Sequence, residues 1–147
     1  MALTTAAPTP ADAGGPADAA RVVDAFLEAS MRPDPEAAAR FMAPDVRITF
    51  TGGRVFGHPR EATAFNAARY RWVKKRVERN DVVPGVDETI VYNLGTLHGE
   101  WPDGTPFEGN RYVDRFVVRG GLIVSHDVWN DSAERLLARQ ETGRKTR

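Results

Sequence analysis

The sequence predicts an α+β domain in which a curved antiparallel sheet folds over N-terminal helices and encloses a cone-shaped cavity. Two observations carry this. Apolar residues recur with a helical period through most of the chain up to about residue 73, and then with a period of two from Val77 to Trp129. Turn signals at Pro84-Gly85, across Pro102-Asp103-Gly104-Thr105-Pro106 and at Gly120-Gly121 divide that second half into four strands. Strands segregated from helices in this way indicate α+β rather than parallel α/β.

The elements follow in order. Asp18 is placed to cap a helix whose apolar stripe is Ala19, Val22, Val23, Phe26 and Ser30. Asp34 before Pro35 caps a second, short helix, with proline at a position where its missing N–H costs nothing. That helix carries Ala38, Phe41 and Met42 on one face, and Pro44 ends it. Val46, Ile48 and Phe50 alternate with polar residues as a strand, and Gly52-Gly53 returns it to Arg54-Val55-Phe56. Pro59, after His58 as the cap, opens a third helix over 59–73 with Ala64, Phe65, Ala68 and Trp72 buried. Strands are expected over Val77–Val83, Thr89–Trp101, Phe107–Arg119 and Leu122–Trp129. Asp131 and Glu134 then form a capping box before a last short helix.

The chain has 147 residues, with 20 Lys+Arg against 20 Asp+Glu and no Cys. Its length fits one domain, expected over 18–137 between a disordered Ala/Pro-rich arm (1–17) and a flexible basic tail (138–147). Absence of Cys excludes a disulfide scaffold, thiolate metal sites and a Cys nucleophile. Balanced charge argues against a nucleic-acid binder. No apolar run approaches the roughly 18 residues of a membrane span, and the first residues lack the pattern of a secretory signal, so a cytoplasmic location is expected. The six cations of 69–79 read as a solvated helix end. His and carboxylates show no metal-ligand spacing and no G-x-G-x-x-G nucleotide fingerprint appears, so no metal and no cofactor are expected.

The last hairpin carries the chemistry. With Gly120-Gly121 as a two-residue turn, Asp114 faces Asp127 and Tyr112 faces Trp129 on the inner face, while Arg115 pairs with His126 on the outer face. Directly opposed residues have Cβ atoms about 5 Å apart, so two inner carboxylates there would share a proton and serve as acid and base. A one-residue slip or a bulge would instead turn Asp114 outward, toward Arg111 or Arg115. Counting across the preceding turn sets Asn93 beside Asp114 and puts His98 on the opposite face. The two flanking prolines make a bulge there an alternative, which leaves His98 a candidate proton shuttle. Aromatic residues Tyr70, Trp72, Phe50 and Trp101, with Tyr112 and Trp129, are candidates for lining the cavity.

The segments FMAPDVRITFTGGRVFGHPREATAF and YVDRFVVRGGLIVSHDVWND, in this order of elements, resemble the SnoaL-like branch of the nuclear transport factor 2-like superfamily. The resemblance covers residues 17–134 and implies a cystatin-like α+β barrel. It implies an acid/base carboxylate at Asp127, whereas Asp114 rests on register alone. The first helix lacks the Tyr of the ketosteroid isomerases, and LGTLHGE lacks the Arg-x-Asp of the epoxide hydrolases. The implied function is acid/base enzymology without a cofactor (isomerase, dehydratase, cyclase or epoxide hydrolase type) on a small, largely apolar aromatic, polyketide-like or terpenoid-like molecule. The alternative is a non-catalytic ligand-binding or protein-interaction domain. The resemblance, together with Val113, Val117, Val124 and Val128 expected outside, also implies a homodimer through the outer sheet face.

Overall fold

The computed structural model describes residues 15–145. All but the last three residues of the expected arm therefore lie outside the described residues. The elements are α1 (Pro16–Met31), α2 (Pro35–Ala39), β1 (Met42–Phe50), β2 (Arg54–Phe56), α3 (Pro59–Arg69), β3 (Trp72–Pro84), β4 (Thr89–Glu100), β5 (Pro106–Arg119), β6 (Leu122–Asn130) and α4 (Ser132–Lys145). Their order is the expected one. The strands form one curved, six-stranded sheet in the order β2-β1-β6-β5-β4-β3. The sheet does not close, and β1 runs parallel to β6, so the expected all-antiparallel barrel is an open sheet with one parallel pair.

The caps explain several boundaries. The Asp34 carboxylate accepts from the Ala37 N–H, and His58 Nδ1 accepts from the Arg60 N–H, as their spacing before proline predicts. Four expectations need correction. The third helix stops at Arg69, because Tyr70 turns to extended backbone. Residues 72–84 then form β3, which places the basic stretch mostly on a strand. The tail expected from Ala138 continues α4 to Lys145. Asp131 does not build a capping box; its carboxylate takes Arg111, and the Asn130 side chain caps Ser132 instead.

The inner face of the sheet packs on α1 and α2. Val23, Phe26 and Leu27 of α1 meet Ile48, Val91, Phe116, Ile123 and Val128 of the strands, all buried. A second cluster of Tyr70, Leu97, Trp101, Phe107 and Tyr112 fills the end near α4. Its rings are layered, Tyr70 on Trp101 at 5.8 Å and Trp101 on Phe107 at 4.3 Å.

Candidate active site

The site depends on one irregularity in the last hairpin. Gly120 and Gly121 both have positive φ, and Arg119 pairs with Leu122, as the tight turn requires. Val118 then pairs with Ile123 but Val117 pairs with Ser125, so Val124 is an extra residue on β6. Beyond this bulge every β6 side chain changes face relative to the simple count. Asp114 pairs with Val128, Arg115 with Asp127, and Phe116 with His126.

The expected Asp114–Asp127 pair is therefore not formed. Asp127 lies on the outer face, 3.6 Å from Arg115. His126, expected outside, is inside. The physical reason is charge. The simple register sets two carboxylates against each other on a buried face, whereas the bulged one places His126 and Val128 there and gives Asp127 a cation.

Asp114 is at the centre, its side chain 1% exposed. Its Oδ2 receives the Lys75 ammonium at 2.9 Å and His126 Nε2 at 3.1 Å. Its Oδ1 is buried with no hydrogen-bond partner among the described residues. Burial alone pushes the carboxyl upward, but Lys75 and the hydrogen bond from His126 outweigh it and hold Asp114 below the usual carboxylate range. A His126 that donates from Nε2 in its neutral form keeps Nδ1 as an acceptor. Its ring is clamped by Phe116, stacked at 4.2 Å, and by the edge contact of Phe26 at 5.4 Å.

Lys75 comes from β3, whose alternation turns Val73 and Lys75 inward while Trp72, Lys74 and Arg76 stay exposed. Its ammonium sits 3.7 Å from the centroid of the Tyr112 ring. A polar chain fixes that ring. Tyr112 Oη donates to Asn93 Oδ1 at 2.7 Å, Asn93 Nδ2 donates to Asn80 Oδ1 at 2.7 Å, and Asn80 Nδ2 donates to Asp24 Oδ1 at 2.8 Å. Burial, with Asp114 and Glu78 nearby, pushes the Tyr112 hydroxyl far up, so it remains a donor.

These groups meet at a cavity of about 130 Å³ between the sheet and the helices. Its apolar wall includes Phe26, Leu27, Ile48, Phe50 and Val128, and its polar groups include Thr63, Asn66, Lys75, Asp114 and His126. Of the residues expected to line it, Phe50 and Tyr70 do, and the Tyr70 hydroxyl donates to Ser132 Oγ at 2.6 Å. Asn93 pairs with Asp114 as counted, but it and Tyr112 stand behind Lys75 rather than at the wall. Trp101 belongs to the second cluster. Trp72 and Trp129 are 42% and 51% exposed on the outer face. The bulge moves Trp129 there, and the early end of α3 moves Trp72. His98 is also on the outer face, edge-on to Trp72, with Nδ1 buried and unpartnered. Burial, then Arg76 and Lys74, push its pKa down.

Lys75 and His126 were missed by the sequence reading. The period-two pattern of Trp72 to Arg76 was the signal for Lys75; for His126 there was only the cost of the opposed aspartates. Among the described residues no group of three or more His, Asp or Glu side chains is arranged to hold a metal, and no helix is long and apolar enough to cross a membrane.

A family model described as a SnoaL-like domain matches residues 23–126. No curated protein matches the chain. Solved structures do. A nuclear transport factor 2-like protein of unknown function from Burkholderia pseudomallei superposes with a TM-score of 0.66 at 20% identity, covering 81% of this chain and 95% of that one. TerC, co-crystallised with polyporic acid, gives 0.65 at 15% identity, covering 80% and 94%. A protein from Jannaschia sp. CCS1, provisionally named a SnoaL-like polyketide cyclase, gives 0.62 at 19% identity, covering 84% and 90%. At these identities the likeness is one of fold.

Proposed function

Starting from a chain that belongs to the SnoaL-like family, we propose an acid/base enzyme that moves a proton within a small, largely apolar molecule, with His126 as the base. The observation that carries this reading is the single buried oxygen, Asp114 Oδ2, shared by Lys75 and His126 at the cavity. The carboxylate orients the imidazole and stabilises the imidazolium formed when Nδ1 takes a proton from the carbon next to a carbonyl. The electron pair moves onto the carbonyl oxygen, where Lys75 donates a hydrogen bond to the developing enolate. Return of the proton at another carbon is an isomerisation; its transfer to a departing β-hydroxyl, released as water, is a dehydration. A positioned general base of this kind contributes about 10²–10⁴ in rate. The role that the resemblance gives to Asp127 passes in this reading to His126 with Asp114.

The test needs no known product. Candidate hydroxy ketones incubated with the protein in D₂O should take up deuterium next to the carbonyl, read by mass spectrometry. His126→Gln should lower that rate by at least about 10²-fold while the fold is retained. Exchange that survives in the variant would remove His126 as the base. Binding with no exchange would make the domain a ligand carrier.

We also propose a homodimer through the outer sheet face. Trp129 stands exposed there beside Val113 and Leu94, an apolar strip flanked by Arg111 and Asp131.

A further inference from the structure

The proton chemistry proposed above leaves the substrate unspecified, and the cavity's size, charge and unpaired polar atoms narrow it. Resting on that reading, we infer that the site takes a neutral molecule of single-ring size that carries a hydroxyl beside a carbonyl.

Size comes first. The cavity is about 130 Å³. An apolar protein cavity of about 150 Å³ holds benzene, whereas sites for drug-sized ligands span about 300–1,000 Å³. The inner wall resists expansion because it is the core itself. Ile48, Phe50 and Val128 are buried, and Phe50 is wedged by Phe56 at 5.2 Å and Phe65 at 5.7 Å. Enlarging the cavity by a second ring would require repacking a close-packed interior.

Charge comes second. Inside the cavity the Lys75 cation and the Asp114 anion cancel at 2.9 Å. His126 Nε2 is held on the same Asp114 oxygen at 3.1 Å. Lys74, next along β3, also borders the cavity at its rim, but its residue is exposed and pairs with His98, so it adds no buried cation. A ligand carboxylate or phosphate would meet no surplus cation and would be buried beside an anion, which is costly.

Unpaired atoms come third. Asp114 Oδ1 is a buried acceptor without a donor. Leaving such an atom unpaired costs about 1–3 kcal/mol, and a ligand O–H recovers it. Lys75 carries three N–H groups, of which Asp114 takes one and the Tyr112 ring faces another. The third is a donor for a carbonyl oxygen. One acceptor and one donor, both anchored on the same ion pair, match a hydroxyl and a carbonyl on neighbouring carbons.

The test is a titration of the full chain followed by NMR of the His126 ring nitrogens. Four probes separate the three arguments: 2-hydroxycyclohexanone, cyclohexanone, 2-hydroxy-1-tetralone and benzoate. The first should give a saturable shift. Cyclohexanone, which lacks the hydroxyl, should bind about tenfold more weakly. The two-ring hydroxy ketone and the anion should give no saturable shift. Equal binding of the tetralone overturns the size argument, tighter binding of benzoate overturns the charge argument, and equal binding of cyclohexanone overturns the hydroxyl requirement. The deuterium-exchange test keeps this separate from catalysis. Saturable binding of 2-hydroxycyclohexanone with no exchange into any ketone leaves this inference standing and removes the enzyme. Exchange into a larger ketone, with no binding of this probe, does the reverse.

Discussion

Replacing Asp114 by Asn keeps the side chain's shape and removes its charge, so it isolates the electrostatics of the site. The carboxylate is 1% exposed and its Lys75 partner 17%, both measured on the side chain. Breaking a buried ion pair from one side costs about 3–5 kcal/mol, because the remaining charge is stranded. Lys75 keeps some access to water, so the low end applies, about 3 kcal/mol. For a chain of this length that corresponds to a fall in Tm on the order of 10 °C. The pH dependence adds a second signature. Asp114 titrates below its unfolded value, so its contribution is fully present above the unfolded pKa near 3.8 and is lost as pH falls through the folded value. The stability gap between wild type and Asp114→Asn should therefore narrow below about pH 4. Urea denaturation followed by circular dichroism at several pH values measures both. Adding Lys75→Met should recover more than half of the loss, since the stranded charge is gone. A single variant within about 0.5 kcal/mol of wild type at pH 7, or a gap that does not narrow below about pH 4, would refute the buried, ionised Asp114.

Three further outcomes follow from the same geometry. Tyr112→Phe keeps the ring against Lys75 but leaves Asn93 Oδ1 without its donor, so stability should fall by about 1–2 kcal/mol in the same urea assay; an unchanged midpoint would remove the polar chain as a support. Trp129→Glu on the outer face should convert a dimer to a monomer in sedimentation at micromolar concentration, with the monomer's circular dichroism unchanged; a wild-type monomer would sink the interface. Deleting Val124 removes the bulge without changing the pairing beyond it, so His126 still faces Phe116 and Asp127 still faces Arg115, and the variant should keep its near-UV circular dichroism and lose less than about 3 kcal/mol of stability; loss of the near-UV signal would show that the bulge itself holds the register.

The order of elements was legible because it rests on periodicity and on local punctuation. Val46, Ile48 and Phe50, the alternation of Thr89 to Glu100, and the caps at Asp34 and His58 all act within a few residues of themselves. The pairing of Asn93 with Asp114 also followed from counting, although two local departures cancel to give it. Glu100 pairs with Pro106, which shortens the turn by one, and Gly109 is the extra residue that restores the register. The parallel pairing of β1 with β6 was not legible, since nothing local marks which strand an early strand will join. Nor was Lys75, because six cations in eleven residues read as a solvated surface whichever element carries them. A strand can turn one such cation inward at every second position, and here the inward position meets Asp114.

The hairpin shows why a correct turn still gave the wrong site. Gly120-Gly121 sets the pairing of Arg119 with Leu122, but period-two parity means that one inserted residue exchanges the whole of the following strand. Both faces of β6 carry apolar and polar residues, so hydrophobic burial alone separates the two registers weakly. Turning Val128 in and Trp129 out gains little apolar burial. The Arg115–Asp127 pair is more than a quarter exposed on both sides and its gain is small. The decisive term is the cost avoided: two carboxylates opposed in a core, against one carboxylate shared between a lysine and a histidine. Electrostatics thus selects the register, and the register selects the proposed base. The same buried Asp114 that makes the alternative pairing untenable is the group that orients His126 toward the cavity.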